Sequence, residues 1–266
     1  MEPWMHPNNR YLLLGDLHLG ALEGDDDREL EQEAIELLEY CRKTDLKLLL
    51  LGDLFDYWME YPSHVPNLAP RFQKALADYN RQTGPTLYIT GNHDNWTQGY
   101  FESIGCVVCS ESVRFTIDNT RILLLHGDGL TDKKMNLPRP VWHRLLRSRS
   151  FVRIFQTLFP SRTGLRIMAA FSSWSRKKSG DSPVRLDQWA RETLEFGSDD
   201  FVICGHDHTP RIRRWRDGTY MNCGAFLTNR TAVRYTNGTP ELVVWNAGER
   251  QLNPLIDRQE TQTGGR

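Results

Sequence analysis

Five cysteines in 266 residues make an odd number with no dense spacing. That excludes a disulfide scaffold and points to a reduced, cytoplasmic protein. Cys106 and Cys109 have redox or zinc spacing, but no second pair completes a zinc site. Their short apolar surroundings suit buried strand cysteines better. No apolar run approaches the ~20 residues needed to cross a bilayer, so any membrane contact is expected to be peripheral, at the inner membrane. The stretch Met1-Glu-Pro-Trp-Met-His-Pro lacks the apolar core of a secretory signal. No internal repeat of solenoid length occurs, which removes stacked-repeat architectures.

The chain also lacks a large net charge, carrying only −1, but that near-neutrality is uneven. Residues 131–185 hold 13 Lys and Arg against two Asp, a net +11, while the remainder carries −12. An acidic body with a basic segment suggests a partner of negative charge: anionic lipid, nucleic acid or a polyphosphate substrate. Within the segment Trp142, Leu145, Leu146, Val152, Phe155, Leu158 and Phe159 fall near helical spacing, with arginines between them. Pro160 breaks that helix. Further helical patterns run over about 164–175 and 183–196. The segment reads as a helical insertion, about 130–182.

What the chain has in abundance is one repeated design: an apolar run that stops at or near a glycine and delivers Asp, Asn or His. Tyr11-Leu-Leu-Leu-Gly15 leads to Asp16 and His18. Leu48-Leu-Leu-Leu-Gly52 leads to Asp53. Leu87-Tyr-Ile-Thr-Gly91 leads to Asn92, His93 and Asp94. Ile122-Leu-Leu-Leu125 leads to His126, and Phe201-Val-Ile-Cys-Gly205 to His206 and His208. Such runs predict buried strands ending in loops. Residues i and i+2 of an extended chain point the same way, so Asp16 and His18 are expected to face one point. Strands alternate with helical patterns at 25–41, 66–83 and 97–104, then give way to hairpins near 106–125. Short strands are expected at 211–215, 219–222, 232–235 and 241–245. This is an α/β chain, and ligands of such sheets gather at the carboxyl ends of strands. One domain is expected over 1–246, with 247–266 a polar tail, partly disordered.

The residue types at these tips can hold two metal ions. Hard oxygens mixed with imidazoles suit Mn, with Fe and Zn as alternatives, better than Ca or Mg. Two metals roughly 3.5–4 Å apart clamp the attacking and leaving oxygens of a displacement at phosphorus. A bridging carboxylate must hold them that close, and Asp53 is the candidate. His93 follows Asn92 directly with Asp94 behind it, and an imidazole backed by a carboxylate is oriented for proton transfer. His93 and Asp94 are therefore the expected catalytic pair. His6, His64 and His143 sit outside these blocks and read as structural.

The blocks Gly15-Asp-Leu-His18, Gly52-Asp-Leu-Phe-Asp56, Gly91-Asn-His-Asp94, His126-Gly-Asp128 and Gly205-His-Asp-His208 resemble those of the calcineurin-like metallophosphoesterases in order and spacing. The resemblance implies a four-layer α/β/β/α sandwich. It also implies one metal site from Asp16, His18, Asp53 and His208, and a second from Asp53, Asn92, His126 and His206.

The run Asp53-Leu-Phe-Asp-Tyr-Trp58, the run from His126 to Asp132, and the basic insertion are similar to the UDP-2,3-diacylglucosamine diphosphatases. Those enzymes cleave a lipid-linked nucleotide to 2,3-diacylglucosamine 1-phosphate and UMP in lipid A synthesis. That likeness implies substrate contacts from Asn92, Asp132, Ser175, Lys178 and His206. In one branch of those enzymes an arginine follows the ligand asparagine, where this chain has His93. The competing reading is a soluble phosphodiesterase or nuclease. Against nucleic acid, the insertion's aromatics lie with Leu and Ile rather than interleaved as stacking platforms. No obligate protein partner is evident from the sequence.

Overall fold

The computed structural model of the protein describes residues 2–128, 148–178 and 183–255, without the side chains of residues 149 and 173–178. Two sheets form its centre. The larger has the order β12-β11-β10-β1-β2-β3-β4. Its parallel middle is β1 (Tyr11–Leu14), β2 (Lys47–Leu50), β3 (Thr86–Ile89) and β4 (Cys106–Cys109). Its antiparallel flank is β10 (Thr231–Thr236), β11 (Thr239–Asn246) and β12 (Gln251–Pro254). The smaller sheet has the order β5-β6-β7-β9-β8, built from β5 (Ser112–Ile117), β6 (Thr120–Leu125), β7 (Phe201–Cys204), β8 (Arg211–Trp215) and β9 (Gly218–Asn222).

The middle strands are continuously apolar because both of their faces are buried. Leu12, Leu14, Leu48, Leu50 and Tyr88 pack under α1 (Asp25–Lys43) and α2 (Pro70–Thr83). The alternate residues Tyr11, Leu13, Leu49, Leu51, Leu87 and Ile89 meet Ile122, Leu124, Ile203 and Met221 of the smaller sheet. On that sheet's far face, Leu123, Leu125 and Val202 pack against Leu186, Trp189, Ala190 and Leu194. These last belong to the helix Pro183–Phe196. The order helix, sheet, sheet, helix is the four-layer sandwich expected from the sequence.

Lys47 is buried beside this core, and its Nζ donates to the Thr83 and Gly84 carbonyls at 2.7 and 2.6 Å. Those carbonyls close the C-terminal end of α2, where backbone acceptors lack helical partners. Burial pulls the Lys47 ammonium down to about 8. Lys47→Met keeps the stem and removes the donor. We expect it to lower unfolding free energy by about 1–3 kcal/mol in urea titration. An unchanged midpoint would show that water replaces the ammonium there.

The short helix α3 (Tyr100–Ser103) follows β3 and its loop. The insertion contributes α4 (Arg149–Leu158) and α5 (Ser161–Lys178), separated at Pro160, and α6 (Pro183–Phe196) leads back to β7. Ser148 caps α4, its side chain accepting from the Phe151 N–H. The last helix, α7 (Phe226–Asn229), joins β9 to β10. The insertion rests on a satellite core of Met59, Tyr61, Trp96 and Val152, with Phe151, Phe155, Leu165 and Met168 against it. Trp142, Leu145 and Leu146 lie outside the described residues.

The expected end of the domain at 246 is too early. Gln251–Pro254 pairs with Val243–Asn246 as an edge strand, and Leu252 is buried. An edge strand needs only one inward side chain, so a single leucine among polar residues suffices. The region expected as a helix over 97–104 contains just the one turn of α3. Cys106 is buried and Cys109 half-buried, both reduced, as strand positions of β4.

Candidate metal centre

The five apolar runs place their polar tips at one end of the facing sheets. The segment after β1 stays paired with the segment after β2: the N–H groups of Asp16, His18 and Leu19 donate to the carbonyls of Gly52, Asp53 and Leu54. The backbone here is not extended. Asp16 (φ 54°), His18 (46°), Asp53 (52°), His206 (76°) and His208 (59°) all occupy the left-handed region. That region is costly for residues with a Cβ. The shared direction of Asp16 and His18 therefore comes from paired left-handed residues, not from strand alternation. Two glycines make room for the carboxylates. A Cβ at Gly91 would collide with Asp53, and one at Gly205 with Asp16.

Two groups of donors converge. Asp16, His18 and His208 offer ligand atoms within 4.8 Å of one another, as do Asp53, His126 and His206. In the first group His18 Nε2 and His208 Nε2 stand 3.2 Å apart. Asp16 Oδ1 lies 3.4 Å from His208 Nε2 and 3.8 Å from His18 Nε2. In the second, His126 Nε2 is 3.2 Å from Asn92 Oδ1 and 3.3 Å from His206 Nδ1. Asp53 joins the two groups. Its Oδ1 accepts the His93 N–H at 2.8 Å. Its Oδ2 is 3.3 Å from His126 Nε2 and 3.8 Å from His18 Nε2.

Such crowding of carboxylates and imidazoles in a buried place calls for positive charge, as a proton or a cation. Burial works against ionised Asp16, yet the imidazoles of His18, His208 and His126 around it hold its carboxyl low. Asp53 is likewise low: burial opposes its charge, and His126 and His93 outweigh burial. Burial alone would lower His126, but Asp53 lifts it to about 10. Asp16 Oδ1 and His18 Nδ1 are buried and have no hydrogen-bond partner among the described residues. A carboxylate oxygen aimed without a donor between two imidazole nitrogens fits a divalent cation.

His93 is supported differently from expectation. Asp94 is fully buried, and its two oxygens accept the N–H groups of Gly91 and Leu54, both at 2.7 Å. Burial and the Asp53 charge raise its carboxyl to about 6. Asp94 ties two loops together and does not back the His93 ring. Instead His93 Nδ1 lies 2.6 Å from the Asp56 carbonyl oxygen and 3.0 Å from Ser172 Oγ. A carbonyl only accepts, so Nδ1 carries the proton, and Nε2 faces Asp53 Oδ2 at 3.9 Å. Asp56 and Ser172 escaped the sequence reading. Asp56 stood in the quoted block Gly52–Asp56, which was a signal, whereas Ser172 had none. His18, Asp56 and His93 also form a compact group of potential ligands. Of the other expected contacts, Asp132 lies outside the described residues. Ser175 and Lys178 fall within α5, but their side chains are not described.

The loop holding His206 and His208 is fixed from below. Arg211 is buried and grips Asp207 with two bonds, at 2.9 and 2.6 Å, and Asp187 of α6 at 2.6 Å. Asn222 Nδ2 donates to the Gly205 carbonyl at 2.6 Å. Arg211→Leu would leave Asp207 buried without its main cation. We expect a loss of about 3–5 kcal/mol of stability, read by thermal and urea unfolding. A loss under about 1 kcal/mol, the range of an exposed pair, would refute the clamp.

A family model described as calcineurin-like phosphoesterase matches residues 10–210. The chain belongs to the calcineurin-like phosphoesterases. As a member it is a hydrolase, and its paired donor groups suit divalent metals. This phosphoesterase is similar to proteins named UDP-2,3-diacylglucosamine hydrolase. The one from Chromobacterium violaceum is 34% identical, over 74% of this chain and 82% of that protein. That of Porphyromonas gingivalis is 26% identical over 73% and 80%. That of Shewanella piezotolerans is 27% identical over 79% and 86%. Among the described residues of the phosphoesterase, no helix is long and apolar enough to cross a membrane.

Proposed function

We propose that this phosphoesterase cleaves the pyrophosphate of UDP-2,3-diacylglucosamine to 2,3-diacylglucosamine 1-phosphate and UMP. In this reading Asp16, His18, Asp53 and His208 hold one divalent ion, and Asp53, Asn92, His126 and His206 a second, with manganese the preferred metal. The observation that carries the metal assignment is Asp53 Oδ2, which stands within 3.8 Å of a nitrogen from each donor group. The ions would supply the positive charge that activates water and neutralises the phosphoryl oxygens. The chain's own part is to hold that charge and to place His93. With Nδ1–H committed to Asp56, His93 acts from Nε2. A ring carrying protons on both nitrogens would donate the Nε2 proton to the phosphoryl group, or give it to the departing oxygen and be left neutral with Nδ1–H in place.

The choice of substrate rests on the named relatives, which this chain matches over most of their length, and on the surface of the insertion. Ile154 (59% exposed) and Leu158 (68%) project from one face of α4, and Ile167 and Phe171 from one face of α5. Arg153, Arg162 and Arg166 are exposed beside them. Apolar side chains rimmed by cations suit an anionic lipid surface and acyl chains, and this is the basis for peripheral contact with the inner membrane. Among the described side chains of α4 and α5, Phe171 is the exposed aromatic ring, and one ring offers little stacking area for a nucleic acid.

Phe155 packs on Trp96, ring centroids 5.7 Å apart, so altering it would disturb the core. Ile154→Asp with Leu158→Asp tests the surface alone. Each lost apolar side chain is worth about 1.5–3 kcal/mol when buried. We therefore expect at least about a tenfold loss of kcat/KM on UDP-2,3-diacylglucosamine in mixed micelles. A small chromogenic phosphodiester should be hydrolysed as before. Equal loss on both would make the segment part of the core fold. No loss on either would refute the lipid reading and direct the test to single-stranded DNA and its salt dependence.

A further inference from the structure

Helix α5 does more than cover the centre. Its inward stripe begins apolar, with Gly164, Leu165 and Met168. Gly164 is buried, and a Cβ there would collide with the Tyr61 hydroxyl and crowd Phe155. Leu165 and Met168 rest on the satellite core of Met59, Tyr61 and Trp96. The next position on the stripe, one turn beyond Met168, is Ser172, and Ser172 is 5% exposed. A polar side chain buried at the end of an apolar stripe must find partners. Its Oγ donates to the Asp56 carbonyl oxygen at 2.7 Å or to Asp56 Oδ1 at 3.2 Å. It also receives His93 Nδ1–H at 3.0 Å, a proton shared with the Asp56 carbonyl. Asp56 and Ser172 are 116 positions apart in the chain, so only the docked insertion creates this triangle.

We propose that Ser172 is a positioning residue through which the insertion sets the His93 ring. The hydroxyl closes a three-way contact with the carbonyl and carboxylate of Asp56, so docked α5 adds a second hold on the imidazole beside that of the Asp56 carbonyl and sharpens the aim of Nε2. The insertion thereby contributes a side chain to the geometry at the strand tips. This rests on the role assigned to His93 above, but not on the identity of the lipid substrate. The contact is a hydrogen bond between side chains on separate elements, the kind of outer support whose loss typically costs about 10–100-fold in activity.

The test compares Ser172→Ala and Ser172→Thr with the unaltered chain, alone and combined with His93→Ala. The substrate is a chain-free chromogenic phosphodiester with manganese. A second readout is independent of turnover: the ring nitrogen resonances of His93 in 15N-labelled, zinc-loaded protein. Ser172→Ala should lower kcat by about 10–100-fold, with KM within about twofold and metal content unchanged, and should shift the His93 Nδ1 resonance. Ser172→Thr keeps the hydroxyl and should recover most of the rate. In the His93→Ala background Ser172→Ala should cost little, because residues that act through one contact are not additive. An equal loss in both backgrounds, or an unshifted His93 resonance, would overturn the proposal. If the Thr methyl does not fit, its melting temperature will fall, and the resonance of the Ala variant then decides alone. A wild-type chain that ignores UDP-2,3-diacylglucosamine but hydrolyses the diester would defeat the substrate reading and leave this test intact.

Discussion

Asp53→Asn should abolish phosphoester hydrolysis and leave the chain unable to retain either metal ion. The substitution keeps the shape and a carbonyl oxygen that can accept the His93 N–H, now made to Oδ1 at 2.8 Å. It removes the charge. Oδ2 lies near ring nitrogens of both donor groups, 3.8 Å from His18 and 3.3 Å from His126. Asp53 is also the main reason His126 is lifted to about 10. Without it the second group keeps only neutral donors, Asn92, His126 and His206. The first keeps one carboxylate, Asp16. The sheets should be untouched, since Asp53 follows β2 in a loop and the packing of Leu48, Leu49 and Leu50 does not involve it. Circular dichroism should therefore be native while dialysed protein carries no metal. A variant that keeps one tightly held ion would show that Asp53 serves a single site.

His93→Ala is the second large effect. A group that moves a proton in the transition state typically contributes ~10²–10⁴-fold, and we expect a fall in kcat within that range with metal content near normal. The separation is possible because Asp53 is held by the backbone N–H of residue 93, not by its ring. The ring's own hydrogen bonds run to Asp56 and Ser172, and it meets His18 only edge-on, centroids 4.8 Å apart. His93→Arg is the informative companion, because it places a fixed cation where the imidazole stands. Recovery of rate by arginine would assign His93 to charge stabilisation, and continued loss would assign it to proton transfer. A rate unchanged by either substitution would make the residue structural.

The strands that carry the centre were legible because they are buried on both faces. Runs such as Leu48 to Leu51 have no polar interruption, so the residue that ends each run stands out. The convergence of Asp16, His18, Asp53, His126, His206 and His208 follows from that pattern. The backbone that achieves it was not legible. Asp16 and His18 point together through left-handed φ values, which no side-chain periodicity encodes. Asp94 misled for a related reason: its neighbour in sequence is His93, yet it turns to the Leu54 N–H, 40 positions away. Ser172 was invisible for the opposite reason, being an ordinary helical serine whose partners depend on how α5 docks. Strand β12 was lost because one buried leucine does not make a pattern.

The central claim is a two-ion centre bridged by Asp53, and metal counting tests it most directly. The purified chain is stripped with chelator, reconstituted with manganese, dialysed, and its metal measured by mass spectrometry against protein concentration. The account predicts two ions per unaltered chain and near zero for Asp53→Asn. One ion or none in the unaltered chain would contradict it.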